Sequence, residues 1–228
     1  MIPLRDENPT RTFPVVTIAL IAANVLVFLY EWSLGPVALD SFVSTYAFVP
    51  ARFLADPLAP AQLMTVLTSM FLHGGPVHLA GNMLYLWIFG NNVEDRLGRV
   101  RYIAFYLACG VAALAAQTAA GPGVTVPTLG ASGAIAGVLG AYALLYPGAG
   151  VITLVPLFFF FEIARIPALF VIGFWFVLQL ANGLLSLDPA MMQAGGVAWF
   201  AHIGGFVAGL LLVLPLRRRA RPRNGGYF

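Results

Sequence analysis

The stretch HGGPVHLAGNMLYLWIFGNNVEDRLG, residues 73–98, contains an apolar run with polar residues near both of its ends. Its apolar part, 77–93, approaches the ~20 residues that a helix needs to cross a bilayer. His78 and Asn82 are four residues apart near its start, so they share one face of the predicted helix. Because polar groups are costly in hydrocarbon, the pair indicates a function or a packing role inside a membrane.

The composition of the whole chain also indicates a membrane protein. Of its 228 residues, 60% are hydrophobic and 9% are charged, whereas a soluble domain carries roughly 25% charged residues. The mean hydropathy is +0.88. Six apolar runs predict six spanning helices, with approximate bounds 14–33, 77–93, 101–120, 130–146, 167–186 and 198–216.

The arginines predict the orientation of these helices. All 12 basic residues are Arg, and with a cytoplasmic N-terminus all but Arg52 fall on the cytoplasmic side. This is a positive-inside pattern rather than a nucleic-acid-binding surface. We therefore expect a multi-pass protein of the cell membrane (plasma or inner membrane) with both termini in the cytoplasm. A seventh span would reverse this pattern, so the apolar segment 151–161 is predicted to be an interfacial loop.

The predicted fold class is an all-α membrane protein, a six-transmembrane-helix bundle with a long first outer loop. We expect a cytoplasmic N-terminal segment over 1–13, the helical domain over 14–216, and a basic cytoplasmic tail over 217–228. The long loop, 34–76, is rich in aromatic residues, which favours a position partly in the membrane interface.

Polar residues on three helices are expected at the same depth. Ser132 opens the fourth predicted span within GASGAIAG, residues 130–137, and His202 lies about four residues into the sixth, roughly 6 Å along the axis. The second, fourth and sixth spans run in the same direction. His78, Asn82, Ser132 and His202 therefore lie at similar depths below one membrane face.

This set is suited to nucleophilic catalysis. A serine hydroxyl needs a base, which His202 can supply. A serine at a helix N-terminus also has free backbone N–H groups beside it for a developing oxyanion. Because no carboxylate is evident near the histidine, we predict a Ser–His dyad rather than a triad.

Each of these residues has a structural alternative when taken alone. A serine in a glycine-rich membrane helix is usually a packing residue, and an asparagine often joins two helices by a hydrogen bond. A lone histidine is as often structural as functional. Their convergence favours the functional interpretation. His73, in the loop before the second span, is interpreted as a structural hydrogen-bonding residue.

Together these motifs resemble the rhomboid family of intramembrane proteases. The matching pieces are residues 73–98, 130–137 and AHIGGFVAG at 201–209, in the family's order. The resemblance implies Ser132 as the nucleophile and His202 as the general base. It further implies that the oxyanion is stabilised by the Ser132 backbone N–H and by His78 and Asn82. Glu94 and Gly98 match a structural motif of the family.

The chain departs from the family's pattern in two places, the first outer loop and the fourth predicted span. Some members carry a Trp-Arg pair in the first outer loop, where this chain has Met64 and Thr65. Many members have an aromatic residue four positions after the nucleophile, beneath the histidine ring, where this chain has Ala136. We expect support for the His202 ring to come from Trp199 or Phe200 instead.

The predicted function is therefore that of an intramembrane serine endopeptidase, which cleaves transmembrane segments of membrane proteins in a water-accessible cavity below the outer membrane surface. Its expected partners are those substrates and membrane lipids, without nucleic acid, metal or cofactor. No histidine is followed by Glu and no Gly-Asp dipeptide occurs, which excludes the usual zinc and aspartyl intramembrane proteases. An inactive client-binding scaffold and a channel or transporter are the alternatives.

Overall fold

The computed structural model describes residues 1–157 and 159–217, apart from the side chain of Pro189. The predicted basic tail, 217–228, lies outside the described residues except for Arg217. The elements in chain order are β1 (Ile2–Asp6), α1 (Val15–Ser33), α2 (Pro36–Tyr46), α3 (Pro50–Ala55), α4 (Pro60–Thr68), a 3-10 turn (Ser69–Phe71), α5 (Pro76–Leu97), α6 (Arg99–Ala120), α7 (Ser132–Leu145), β2 (Gly150–Leu157), β3 (Phe160–Pro167), α8 (Ala168–Leu185), α9 (Pro189–Gln193) and α10 (Trp199–Leu216).

A helix lies over each of the six predicted apolar runs: α1, α5, α6, α7, α8 and α10. The mostly helical membrane fold is thereby confirmed. Among the described residues, four of these helices, α1, α6, α8 and α10, are long and apolar enough to cross a membrane. The helix α7 is apolar but has only 14 residues. The count of six spans therefore stays a prediction.

The loop predicted over 151–161 is wrong, because this segment forms part of an antiparallel hairpin. Strand β2 pairs with β3 from Gly150↔Pro167 to Leu157↔Phe160, and β1 from the N-terminal segment adds to the other edge of β2. Branched and aromatic residues suit a pleated sheet once partner strands are available. The sheet order is β1-β2-β3.

A buried carboxylate ties the start of α1 to α5. Glu94, 1% exposed, accepts hydrogen bonds from the backbone N–H groups of Val16 at 3.0 Å and Thr17 at 2.8 Å, and from the Thr17 hydroxyl at 2.8 Å. The first N–H groups of a helix have no partner within the helix, so the carboxylate satisfies two of them and faces the positive end of the helix dipole. Glu94 is thus a structural residue.

The long first connection is folded. Its short helices α2, α3 and α4 lead to the 3-10 turn, where Met70 packs with Phe48 and with Leu114 of α6 in a small core. In α4, Thr65 is buried and its hydroxyl donates to the Gln62 carbonyl at 2.7 Å, whereas Met64 is exposed. Of these two residues, which stand where some family members have Trp-Arg, only Met64 therefore lies on the surface of the protein.

Glycines let α10 touch α7 backbone to backbone. A Cβ atom on Gly205 would overlap the carbonyl oxygen of Gly133, and one on Gly209 would overlap that of Gly137. Neither carbonyl can move aside without moving its helix. This close approach aligns the last helix with the one that begins at Ser132.

We expect Gly205→Ala to destabilise the protein by about 3 kcal/mol, the upper end of the usual range for overpacking. The added methyl group must separate α7 from α10, since it meets backbone rather than a mobile side chain. Thermal unfolding in detergent measures the change. Gly173→Ala in α8 is the matched control, because a Cβ there has no neighbour within 4 Å. Equal melting temperatures for the two variants would contradict the close contact.

Candidate active site

Ser132 is the first residue of α7. The chain reaches it through Gly130, whose φ of +119° lies in a region that favours glycine. The backbone N–H of Gly130 donates to the Ser69 carbonyl at 2.8 Å, which ties this turn to the first connection. The tight turn places Ser132 at the start of a helix, where backbone N–H groups have no partner within the helix.

His202, the fourth residue of α10, meets Ser132 directly. Its Nε2 atom lies 2.8 Å from Ser132 Oγ, within hydrogen-bonding reach of a nucleophile. The histidine is 9% exposed. The two residues that were predicted as nucleophile and base are therefore in contact, although 70 residues separate them in the chain.

The other ring nitrogen of His202 has a partner that the sequence analysis missed. Its Nδ1 atom lies 2.8 Å from Oε1 of Gln179, in α8. Gln179 is 5% exposed. The signal that could have identified it is its polarity inside a mostly apolar run, since polar residues at membrane depth usually have a specific partner.

Two tryptophans surround the His202 ring. Trp175 of α8 lies with its ring centroid 5.8 Å away and its plane tilted by 35°. Trp199 lies 6.3 Å away and edge-on, at 88°. Trp199 therefore meets the ring only edge-on, and the more parallel ring is that of Trp175, which the sequence does not predict. Phe200 lines the adjoining cavity.

His78 and Asn82 lie over the turn that precedes Ser132. A Cβ atom on Gly130 would meet His78 Nε2 at 2.9 Å and Asn82 Nδ2 at 3.7 Å. Both side chains therefore face the approach to Ser132 from α5. All four predicted site residues, His78, Asn82, Ser132 and His202, line a single cavity of about 740 Å³.

His73 positions Asn82. Burial and the neighbouring His78 lower the pKa of His73 to about 4, so the ring is neutral at pH 7. Its Nδ1 atom lies 3.2 Å from the Phe71 carbonyl, which can only accept, so Nδ1 carries the proton. The unprotonated Nε2 then accepts from Asn82 Nδ2 at 2.9 Å. The backbone N–H of His73 donates to Glu31 at 3.2 Å, which agrees with its structural interpretation.

The cavity is covered by the segment around α9. Gln193 of α9 accepts from the backbone N–H and the hydroxyl of Thr125, at 3.2 and 3.0 Å. Its amide group donates to the Gly123 carbonyl at 3.0 Å. These bonds join the segment before α10 to the loop before α7. Met191, Met192 and Val197 of this cover contribute apolar surface to the cavity.

Comparison with known proteins identifies a protein family that this chain matches. The Rhomboid domain family model matches residues 60–219. Rhomboid protein 1, mitochondrial, of Saccharomyces cerevisiae is 29% identical over 85% of this chain and 51% of that protein. The Presenilin-associated rhomboid-like protein, mitochondrial, of Rattus norvegicus is 33% identical over 84% of this chain and 46% of that protein.

A bacterial relative is also similar. Rhomboid protease GluP of Bacillus subtilis is 37% identical over 58% of this chain and 24% of that protein. The chain spans about half the length, or less, of the curated relatives it matches. The match to the family model includes the helices that carry Ser132 and His202.

Proposed function

Since the chain belongs to the rhomboid family, we propose that it is an intramembrane serine endopeptidase with Ser132 as nucleophile and His202 as general base. The observation that carries this proposal is the 2.8 Å contact between Ser132 Oγ and His202 Nε2 at a cavity. The imidazole takes the hydroxyl proton as the serine oxygen attacks the substrate carbonyl. The protonated imidazole then gives that proton to the leaving amine, and water hydrolyses the acyl-enzyme.

The oxyanion of the tetrahedral intermediate is assigned to a set of donors around Ser132. The Ser132 backbone N–H is free to donate because it opens α7. Asn82 can donate the second proton of its Nδ2 atom, since the first is used by His73. His78 faces the same approach over Gly130. Such preorganised donors stabilise charge that develops only in the transition state.

The proposed topology has six membrane spans within a domain over 14–216, with residues 1–13 before it and the basic tail after it. The two helices that do not qualify by length and composition are α5, whose apolar run includes polar residues such as His78 and Asn82, and α7. The 14 residues of α7 extend about 21 Å against a hydrocarbon core of about 30 Å. Ser132 would therefore lie below the membrane surface, in a cavity that water can reach.

The proposed substrates are transmembrane segments of other membrane proteins. The cavity is lined by apolar side chains such as Val77, Ile135 and Leu139 beside its few polar groups. An apolar segment that unwinds beside Ser132 would present its peptide carbonyl to the hydroxyl and keep its side chains against these walls. Membrane lipids are the other expected partners.

The expected location in the plasma or inner cell membrane, with cytoplasmic termini, is wrong. Relatives that match most of the chain are named as mitochondrial proteins, in Saccharomyces cerevisiae, Rattus norvegicus and Homo sapiens. We propose a mitochondrial membrane instead. The arginine-rich loops then identify one side of that membrane, opposite the side from which the Ser132 cavity is reached.

Covalent labelling tests the proposed function. The purified protein in detergent is treated with a fluorophosphonate probe, and the modified residue is identified by mass spectrometry. A nucleophile activated by His202 yields an adduct on Ser132, and His202→Ala prevents it. A client-binding scaffold or a channel would not react. A folded wild-type protein that never labels would overturn the proposal.

A further inference from the structure

We propose that Gln179 is a positioning residue for His202, holding the imidazole in the tautomer whose Nε2 atom is free to accept the Ser132 proton. The sequence predicts a dyad with no third member, whereas the structure supplies a neutral amide at the position where a triad has a carboxylate. The effect on catalysis rests on the proposed function. The tautomer itself does not depend on it.

The direction of the Gln179 amide group is determined by its own helix. Its Nε2 atom donates to the Trp175 carbonyl at 3.0 Å, one turn earlier in α8. Turning the amide around would bring Oε1 against that carbonyl, and two acceptors would repel each other. Oε1 therefore faces His202 Nδ1, and an amide oxygen can only accept.

The tautomer of His202 follows from this direction. Nδ1 must carry a proton to donate to Oε1 across 2.8 Å. A neutral imidazole has one N–H, so Nε2 presents its lone pair to Ser132 Oγ, at 2.8 Å. The hydroxyl then donates to Nε2, which is the arrangement that a general base requires.

Burial makes this contact hard to replace by solvent. Gln179 is 5% exposed and His202 is 9% exposed. If the amide were removed, Nδ1–H would lose its partner in a site with little access to water. The ring would then be more stable after rotating, or after moving its proton to Nε2, where the Ser132 oxygen can accept a hydrogen bond from it.

The same helix supplies support for the imidazole plane. Trp175 and Gln179 are four residues apart in α8 and so share one face. Trp175 lies over the His202 ring at 5.8 Å between centroids, while Gln179 contacts its edge. Ala136 has no ring to offer at the position where many family members have one. In this chain α8 therefore both supports the face of the His202 ring and orients its edge.

A neutral group suits the membrane position. A carboxylate at this site would have to be desolvated within the bundle, at a large cost. The amide oxygen orients the ring and, through its dipole, stabilises the imidazolium that forms when Ser132 attacks. Because it carries no full charge, we expect a smaller contribution than that of a triad carboxylate.

The kinetic test compares Gln179→Leu with Gln179→Glu. Gln179→Leu keeps the approximate volume and removes the acceptor, so kcat should fall about 10- to 100-fold with KM changed less than about 3-fold, below the ~10⁴ loss for a triad carboxylate variant. Gln179→Glu keeps an oxygen that can accept from Nδ1–H, but it also places a carboxyl group beside the Trp175 carbonyl in the buried site, so it should recover only part of the loss. Gln62→Leu in α4 is the matched control and should keep the wild-type kcat.

The spectroscopic test needs no activity. The chain has three histidines, so ¹⁵N-labelled histidine gives few NMR signals, and His202→Gln identifies that of His202. We expect the wild-type ring to be protonated at Nδ1, and Gln179→Leu to shift population toward the Nε2-protonated form. A wild-type ring protonated at Nε2, or a tautomer unchanged by Gln179→Leu, would overturn the proposal.

The two tests separate failure of this inference from failure of the proposed function. If wild-type protein labels at Ser132 but Gln179→Leu keeps its kcat, the positioning role is wrong and the protease assignment stands. If wild-type protein never labels, the protease assignment is wrong, and the tautomer measurement alone decides the role of Gln179.

Discussion

Ser132→Ala is expected to abolish peptide-bond hydrolysis, with a loss in kcat of about 10³-fold or more, as for other serine nucleophiles. The physical reason is that no other group can form the acyl-enzyme at this position. His202 would retain its contact with Gln179 but would have no hydroxyl to deprotonate. The measurement is cleavage of a transmembrane substrate in proteoliposomes, followed by gel electrophoresis, together with fluorophosphonate labelling.

The fold should tolerate this change. Removal of one hydroxyl group from a hydrogen-bonded pair costs about 1 kcal/mol, so the melting temperature should stay close to that of the wild type. Ser33→Ala is the matched control, because the Ser33 hydroxyl donates to the Tyr30 carbonyl at the end of α1. It should leave cleavage unchanged. Cleavage or labelling that survives in Ser132→Ala would show that the nucleophile is a different residue.

Asn82→Ala is expected to lower kcat by about 10²-fold or more, with a much smaller change in KM. Asn82 is aimed by His73, whose neutral ring accepts one of its two amide protons. The second proton is free for an oxyanion, which exists only in the transition state. Loss of such an interaction lowers kcat and kcat/KM together. Steady-state kinetics on a peptide that contains the cleaved bond measures both.

A matched control variant separates an oxyanion role of Asn82 from a structural one. Asn182→Ala removes the same amide group from α8, where it donates to the Leu178 carbonyl of its own helix, and should keep the wild-type kcat. Fluorophosphonate labelling should persist in Asn82→Ala at a reduced rate, because Ser132 and His202 are intact. An unchanged kcat in a folded Asn82→Ala protein would remove Asn82 from the oxyanion set.

Much of the fold could be predicted because long apolar runs are local features. The helices α1, α6, α8 and α10 lie within a few residues of the predicted bounds. The segment 151–161 forms strands instead of the predicted loop, and its length and composition are typical of neither a span nor a soluble loop. Its strands exist because the N-terminal segment and residues 160–167 provide backbone partners, which local pattern does not reveal.

The four predicted site residues could be placed near one another for a similar reason. Each is a polar side chain in an apolar surrounding, and the depth of each follows from counting residues along a helix. Their meeting at one cavity depends further on the rotation of each helix. The glycines at 205 and 209 allow that approach, but they do not specify which polar side chains will face each other.

The sequence by itself determined which segments become apolar helices, and it identified the hydroxyl and the imidazole to which we assign the proposed chemistry. Because unpaired polar groups are costly in hydrocarbon, a membrane segment must be long and apolar, and both properties are visible in the sequence. Only the tertiary structure decided that Gln179 contacts Nδ1 of His202, that Trp175 lies over its ring, and that His73 aims Asn82. These contacts depend on how packed helices are rotated against one another. The presence of a glutamine in an apolar run does not reveal which residue it contacts.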